Sequence, residues 1–168
     1  MGSGPNGQEG VRIHLVRHAH AGDSFDWAGD DDLRPLTRKG RNQSEALGTF
    51  LETHAVRPDV IVSSPKLRAQ QTAEIVAMTL GMTVRLDERL AGDFGKQELW
   101  ALLDELGARE PMFVGHDPDL SELVGYLLDA AGIRLKKCTL ATIDLSTKLG
   151  DGEGQLRWLV PPELLTES

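Results

Sequence analysis

Three stretches of this sequence place an arginine or a histidine directly after a short apolar run. Val11–Arg17 (VRIHLVR) runs into Arg17-His18. The segment DVIVS, 59–63, runs into Ser63-Ser64-Pro65, with Arg68 one helical turn later. The run 111–114 leads into Gly115-His116. A guanidinium is a planar fork of donors that stays charged and suits phosphate oxygens. An imidazole can act as a nucleophile or carry a proton near neutrality. A pair of each, with helix N-termini following, describes a pocket for a transferable phosphoryl group. One Arg or His at a strand end is more often a surface or capping residue. The case rests on recurrence in three separate segments.

The elements that must bring these residues together alternate along the chain. Val11–Arg17 is short and rich in β-branched residues and reads as a strand. Residues 23–35 are acidic and polar and read as a long loop. Thr37 is placed as a helix N-cap, with Ala46, Leu47, Phe50 and Leu51 on one face to about Thr53. A second strand spans 59–63. Pro65 suits the first turn of the helix that follows, which carries Ala69, Thr72, Ala73, Val76 and Leu80 and stops at Gly81. A short strand at 83–86 comes next, then a helix marked by Leu99, Leu102, Leu103 and Leu106 and ending at Gly107. A buried strand at 111–114 and a helix over 119–131 follow. Strands at 140–145 and 156–160 close the chain, joined by the turn-rich LGDGEG. This order predicts an α/β fold: a three-layer α/β/α sandwich with a mostly parallel central sheet. In such sheets ligands bind at the carboxyl ends of the strands, where the Arg and His residues fall.

Composition narrows the chemistry. The 168 residues suit one domain, expected over 11–168, after a Gly-rich flexible leader at 1–10. Eighteen Lys and Arg stand against 26 Asp and Glu, a net charge of −8, so no nucleic-acid or membrane partner is expected and a phosphate must be held by a local cation cluster. The single cysteine, Cys138, excludes an internal disulfide and any multi-cysteine metal centre. No apolar run is long enough for a membrane span, and no export signal is visible. A cytoplasmic location is the expectation.

Three motifs then carry a resemblance. LVRHAHAGD (Leu15–Asp23), SSPKLRAQQTA (Ser63–Ala73) and VGHDPDLSELV (Val114–Val124) occur in order across the expected domain. They resemble the three signatures of the histidine phosphatase superfamily, the phosphoglycerate-mutase-like fold. The short length, DDLRPLTRKG (Asp31–Gly40), the GHDP followed by Ser121, and the closing Trp158–Pro161 are most similar to the small SixA-type phosphohistidine phosphatases. The chain lacks the length for the large cap of the mutases and acid phosphatases. Ala19 stands where much of the superfamily has glycine. The usual acidic proton donor has no clear match among Asp87, Glu88 and Asp93.

The resemblance implies a two-step displacement. His18 would attack phosphorus in line to give a phosphohistidine, which water hydrolyses. Arg17 and Arg68 would hold the non-bridging oxygens, and His116, expected to be protonated, would add a donor. Arg34 is implied as a further phosphate ligand. Asp31 is a candidate proton donor, set against the plainer reading of a solvated acidic loop. Neither a metal nor a cofactor is implied. An absent acid suits an imidazole leaving group, which departs neutral near pH 7, better than an alkoxide. A cap-free site suits a phosphohistidine displayed on a protein. The alternatives are a small phosphomonoester, such as a sugar phosphate, and a catalytically silent phospho-ligand binding module.

The remaining conspicuous residues take structural readings. Ser64 is expected to cap the helix after it, without the elbow motif of a serine nucleophile. His20 could touch the rim of the pocket. His14 is expected against a polar neighbour, and His54 at a helix end. Trp27 lies in the long loop, at the rim or packed. Trp100 and Trp158 are expected to pack, as is Cys138, a small buried hydrophobe.

Overall fold

Val11–Arg17 forms the first strand, β1, at the centre of a six-stranded sheet. The computed structural model describes residues 10–146 and 152–165. Helix α1 (Arg38–Thr53) follows a loop with two short 3-10 turns, then β2 (Val60–Ser63), α2 (Leu67–Leu80), β3 (Val84–Leu86), α3 (Lys96–Leu106) and β4 (Pro111–Gly115). Helix α4 (Asp119–Leu128) and strands β5 (Leu140–Leu145) and β6 (Gln155–Val160) complete the order. Residues 1–9 of the expected leader (1–10) and residues 149–151 of the LGDGEG turn lie outside the described residues.

The strands lie in the order β3-β2-β4-β1-β5-β6. The first four in that order run parallel, while β5 and β6 are antiparallel. The sheet is therefore mostly parallel and carries helices on both faces. Alternation within the strands builds two cores. Val16, Ile61, Met112, Val114 and Leu140 face α1 and α2, packing on Leu47, Leu51, Ala73 and Val76. Ile13, Leu15, Val62, Phe113 and Ile143 face α3 and α4, packing on Leu99, Leu102, Leu120, Leu123 and Leu127. Burial of one such side chain contributes about 1.5–3 kcal/mol, so a two-faced sheet needs both helix layers.

Local signals account for most element ends. Thr37 caps α1, its hydroxyl accepting from Gly40 N at 3.2 Å. Gly81 and Gly107 end α2 and α3 in the left-handed conformation. Two expectations are corrected. Helix α2 starts at Leu67, with Lys66 at the cap, so Pro65 and Ser64 lie in the turn before it. Helix α4 stops at Leu128, three residues short of Ala131, because Asp129 adopts a left-handed φ of 50° that aspartate tolerates.

Register is what positions the site. Arg17 pairs with Gly115 between β1 and β4, and Ser63 pairs with Val114 between β2 and β4. Three strand ends are thereby brought level, and the residues that follow them leave the sheet together.

Candidate active site

The chain leaves β1 under close backbone control. His18 N donates to Gly115 O at 3.0 Å, and Arg17 N donates to Thr139 O at 3.2 Å. Cys138 N donates to both Arg17 O and His18 O, at 3.0 and 3.1 Å. Ala19, fully buried, donates its N–H to Thr72 Oγ1, which in turn donates to Arg68 O at 2.7 Å. One threonine of α2 thus ties the first motif to the turn that carries Arg68.

Arg17, His18, Arg68 and His116 line one open cavity of about 980 Å³ at the carboxyl ends of the strands. The His18 and His116 rings lie 5.2 Å apart between centroids, tilted by 52°. The first turns of α2 and α4 reach the same cavity through Lys66, Arg68 and Asp119, where helix N-termini favour an anion.

His18 is held in one tautomer. Its Nδ1 lies 2.8 Å from Ala19 O, a carbonyl that can only accept, so Nδ1 carries the ring proton and Nε2 keeps its lone pair. Burial pushes the His18 pKa down to about 2, with His116, Arg68 and Arg17 pushing the same way against the pull of that carbonyl. The ring is neutral at any ordinary pH.

Burial first, then Arg68, Lys66 and Arg17, bring the His116 pKa down to about 3, so in the open site the ring is neutral; the protonation expected beside a phosphoryl group would need that anion to be bound. Its Nε2 lies 2.8 Å from Ser64 Oγ, while its Nδ1 is buried without a partner. The Ser64 hydroxyl also accepts from Lys66 N at 3.2 Å. Ser64 therefore supports the turn before α2 and the second histidine, and is not the helix cap itself.

The arginines are placed by their partners. Arg17 Nη1 donates to Leu135 O at 2.8 Å and lies 3.8 Å from Asp117. Asp117 is fixed by Ser121 through its backbone N–H and hydroxyl, and Ser121 Oγ accepts from Leu135 N. Arg68 Nη1 donates to Asp31 O at 2.8 Å, and its Nη2 lies 3.3 Å from the Asp31 carboxylate. The Nε atoms of Arg17 and Arg68 are buried with no partner, as is His116 Nδ1. Arg17, Arg68 and His116 line one cavity, each keeping a buried nitrogen without a partner within the protein, and two guanidiniums beside an imidazole suit an oxyanion.

Two sequence expectations shift. Arg34 lines the cavity, but its Nε is bound to Asp31 at 2.9 Å and its Nη1 to Ala21 O and Gly22 O. Two of its three nitrogens hold the loop, just as two of Arg68's are held by Asp31, so Arg34 both braces the loop and faces the cavity. Asp31 accepts from Arg34 and faces Arg68, and the Arg34 bond holds its carboxyl below the ordinary range. A carboxylate held ionised by two guanidiniums is unsuited to deliver a proton. Among the acids after β3, Asp87 is bound to Arg89, Glu88 is exposed, and only Asp93 lines the cavity. Asp93 takes a left-handed φ of 58°. Among the described residues, no group of three or more His, Cys, Asp or Glu is arranged to hold a metal ion.

Other side chains follow the structural readings. His20 is half-buried at the cavity, with Nδ1 2.7 Å from Thr37 Oγ1. His14 is fully buried between Thr142 and Glu110. His54 caps α1 against Phe50. Trp27 is exposed, its Nε1 donating to Asp30 O. Cys138 is buried, which pushes its thiol up to about 12. Lys66 and Asp117 also line the cavity; both lie inside the quoted motifs but had no role assigned, while Lys137, which lines it too, lies outside every motif.

Comparison with known proteins agrees with this geometry. Residues 13–143 match the family model described as histidine phosphatase superfamily (branch 1). The phosphohistidine phosphatase SixA of Escherichia coli (strain K12) is 30% identical over 160 residues, 90% of this chain and 94% of that protein. The solved structure of the protein histidine phosphatase SixA complexed with tungstate superposes with a TM-score of 0.81 at 24% identity, covering 93% of this chain and 100% of that one. The alpha-ribazole phosphatase from Shigella flexneri superposes with a TM-score of 0.68 at 20% identity, covering 90% and 97%. At those identities the two structures speak for the fold alone. The family model spans most of the chain and the E. coli relative nearly all of it: this protein belongs to the histidine phosphatase superfamily and is a homologue of SixA.

Proposed function

We propose that this phosphatase removes the phosphoryl group from phosphohistidine on a protein, through a phosphohistidine formed on His18 and without a metal. The observation that carries this reading is the His18 tautomer: with Nδ1–H donated to Ala19 O, the free lone pair belongs to Nε2. The three unpartnered donors on Arg17, Arg68 and His116 support an oxyanion beside it.

In the first step the Nε2 lone pair forms the new N–P bond as the P–N bond to the substrate imidazole breaks. The departing nitrogen keeps that electron pair and leaves as neutral imidazole, its other nitrogen having been protonated by solvent. Arg17 and Arg68 hold the non-bridging oxygens and take up charge as it develops. His116, neutral in the open site, donates from Nδ1 when its proton resides there. In the second step water forms a P–O bond, the N–P bond to His18 returns its pair to Nε2, and the water's proton passes to bulk. The non-cleaving Nδ1–H bond holds the ring throughout.

Protein phosphohistidine is favoured by the 30% identity to SixA over nearly the whole of both chains. An open cavity without a cap also suits a phosphoryl group displayed on a partner. A second reading, a small phosphomonoester, is favoured by Asp93 on the cavity wall, since an alkoxide leaving group needs a proton donor.

The test is phosphate release in EDTA from a phosphohistidine-bearing protein and from simple phosphomonoesters, by wild type and His18→Ala. Release from phosphohistidine that His18→Ala abolishes is expected. Release only from esters would move the substrate to the second reading. Phosphate binding without any release would make the chain a binding module.

A further inference from the structure

Five cationic side chains, Arg17, Arg34, Lys66, Arg68 and Lys137, line the cavity together with Asp23, Asp93, Asp117 and Asp119. Arg34 and Arg68 share Asp31, Arg17 lies near Asp117, and Lys66 lies 3.7 Å from Asp32. Lys137 also lines the cavity but forms no ion pair with any described carboxylate; its one hydrogen bond is a long contact of 3.5 Å to Gly22 O. It is half-buried, and burial together with Arg17, Arg34 and Arg68 lowers its pKa, with only Asp23 acting the other way.

Lys137 is not a stray surface lysine. The turn that presents it is clamped to the end of β1. Cys138 N donates to Arg17 O and His18 O, Arg17 N donates to Thr139 O, and Arg17 Nη1 donates to Leu135 O. Thr139 N closes the turn on Lys136 O at 3.0 Å, and Cys138 takes a left-handed φ of 62°. An ammonium group on a flexible stem has its base fixed beside the nucleophile. An ammonium held there without an ion-pair partner among the described carboxylates gains one when a ligand supplies an anion. The cavity of about 980 Å³ leaves ample room beyond a transferred phosphoryl group, which fills the space of only a few waters at about 30 Å³ each.

We infer that Lys137 makes this a two-anion site: it binds a second anionic group of the substrate, beside the phosphoryl group held by Arg17, Arg68 and His116. The inference rests on the phosphoryl-binding reading of the same cavity and adds what the rest of the substrate must carry. That second anion is either a carboxylate flanking the phosphohistidine on a protein or a second phosphate on a small molecule; the chemistry at Lys137 is the same.

The test measures binding of inorganic phosphate and of methylenediphosphonate, whose P–C–P link is not cleaved, by titration calorimetry of wild type, Lys137→Ala and Lys137→Arg. Wild type should bind the two-anion probe about tenfold or more tightly than phosphate, the order expected of one well-placed, partly desolvated ion pair. Lys137→Ala should lose most of that preference while its phosphate affinity falls much less, and Lys137→Arg should keep the preference. An equal loss on both probes would make Lys137 part of the phosphoryl clamp and overturn the inference, as would an unchanged preference. Absence of phosphate binding in wild type would instead refute the parent reading. A second arm compares kcat/KM for phosphohistidine peptides with Glu or Ala beside the phosphohistidine. A Glu preference that depends on Lys137 assigns the second anion to a protein side chain. A Lys137-dependent preference confined to the diphosphonate assigns it to a second phosphate.

Discussion

Ser64 and His116 are joined by a buried hydrogen bond, 2.8 Å from Oγ to Nε2, although 52 residues separate them. In the open site His116 has a single ring proton, so which nitrogen holds it decides what the ring can do. Ser64 accepts from Lys66 N with one lone pair and can send its own hydrogen to Nε2. The ring proton then resides on Nδ1, the atom that lacks a partner. Ser64→Ala leaves Nε2 buried and unmatched, and should lower kcat/KM about tenfold, within the usual cost of an unsatisfied buried group. Ser64→Thr should restore it, and nitrogen NMR of the phosphate-bound wild type should find Nδ1 protonated. Equal kcat/KM in Ser64→Ala would rule this out.

Asp31 should behave as a holder of arginines. Its carboxylate faces Arg34 and Arg68 and is kept ionised by them. Asp31→Asn keeps an acceptor for Arg34, and kcat should stay within about threefold, as exposed ion pairs contribute little. Asp31→Ala removes the carboxylate from both guanidiniums, leaving Arg68 on the backbone carbonyl of residue 31 and Arg34 on Ala21 O and Gly22 O, and should raise KM about tenfold through lost positioning. A large fall in kcat for alkyl phosphates in both variants, with little change in KM, would restore Asp31 as the acid.

Buried neutral histidines make stability fall on the acid side. The folded pKa values of His18 and His116, about 2 and about 3, lie below the unfolded value, so below pH 6.5 the unfolded chain takes up protons that the folded chain refuses. Their contribution is complete above pH 6.5 and is lost as pH falls toward the folded values. Between pH 8 and 5.5 each should cost about 1.4 kcal/mol, so urea unfolding should register about 3 kcal/mol from the pair. His116→Gln should remove about half of that slope. An unchanged slope in this variant would place the protonation elsewhere.

The same neutrality shapes the rate profile. Because kcat/KM reports the free enzyme, no acid limb near pH 6.5 should arise from His18. A substrate whose own titration lies outside pH 5–8 makes the measurement clean. An enzyme-derived pKa near 6.5 in that profile would contradict a nucleophile neutralised by burial.

Gly40 marks where α1 meets the loop after the nucleophile. A Cβ there would lie 2.0 Å from His20 O, which also accepts from Thr37 N at 3.0 Å. Backbone on both sides leaves little room to yield. Gly40→Ala should destabilise by about 1–3 kcal/mol through overpacking and should weaken phosphate binding by displacing residues 18–21. Thermal unfolding and phosphate titration check both, and a wild-type Tm would show that the contact relaxes freely.

The strands β1 and β4, the Thr37 cap and the glycines at 81 and 107 were legible because each is a local property. A short β-branched or apolar run, a hydroxyl three residues before an amide and a residue free to take positive φ depend only on near neighbours. The three motifs also marked Arg17, His18, Arg68 and His116, and the strand-end rule brought them to one rim. The ends of α2 and α4 were less legible. Pro65 is compatible with a first turn and with the turn before it, and the left-handed Asp129 has no glycine to announce it.

Charge state and partnership were decided by the tertiary structure. His116 looks like a cation beside a phosphate in the sequence, but removal of water and three nearby cations make it neutral. Asp31 looks like an acid in an acidic loop until two arginines fold onto it. Lys137 sits in LKKC with no pattern around it, and becomes a cavity residue only because Cys138 binds the backbone of residues 17 and 18 across 120 positions of chain. The order of residues along the chain sets which side chains are present and which strand ends carry them. Desolvation and contact between distant segments belong to the folded assembly, so only that structure decided which groups are charged, which are spent on one another and which are left free for a substrate.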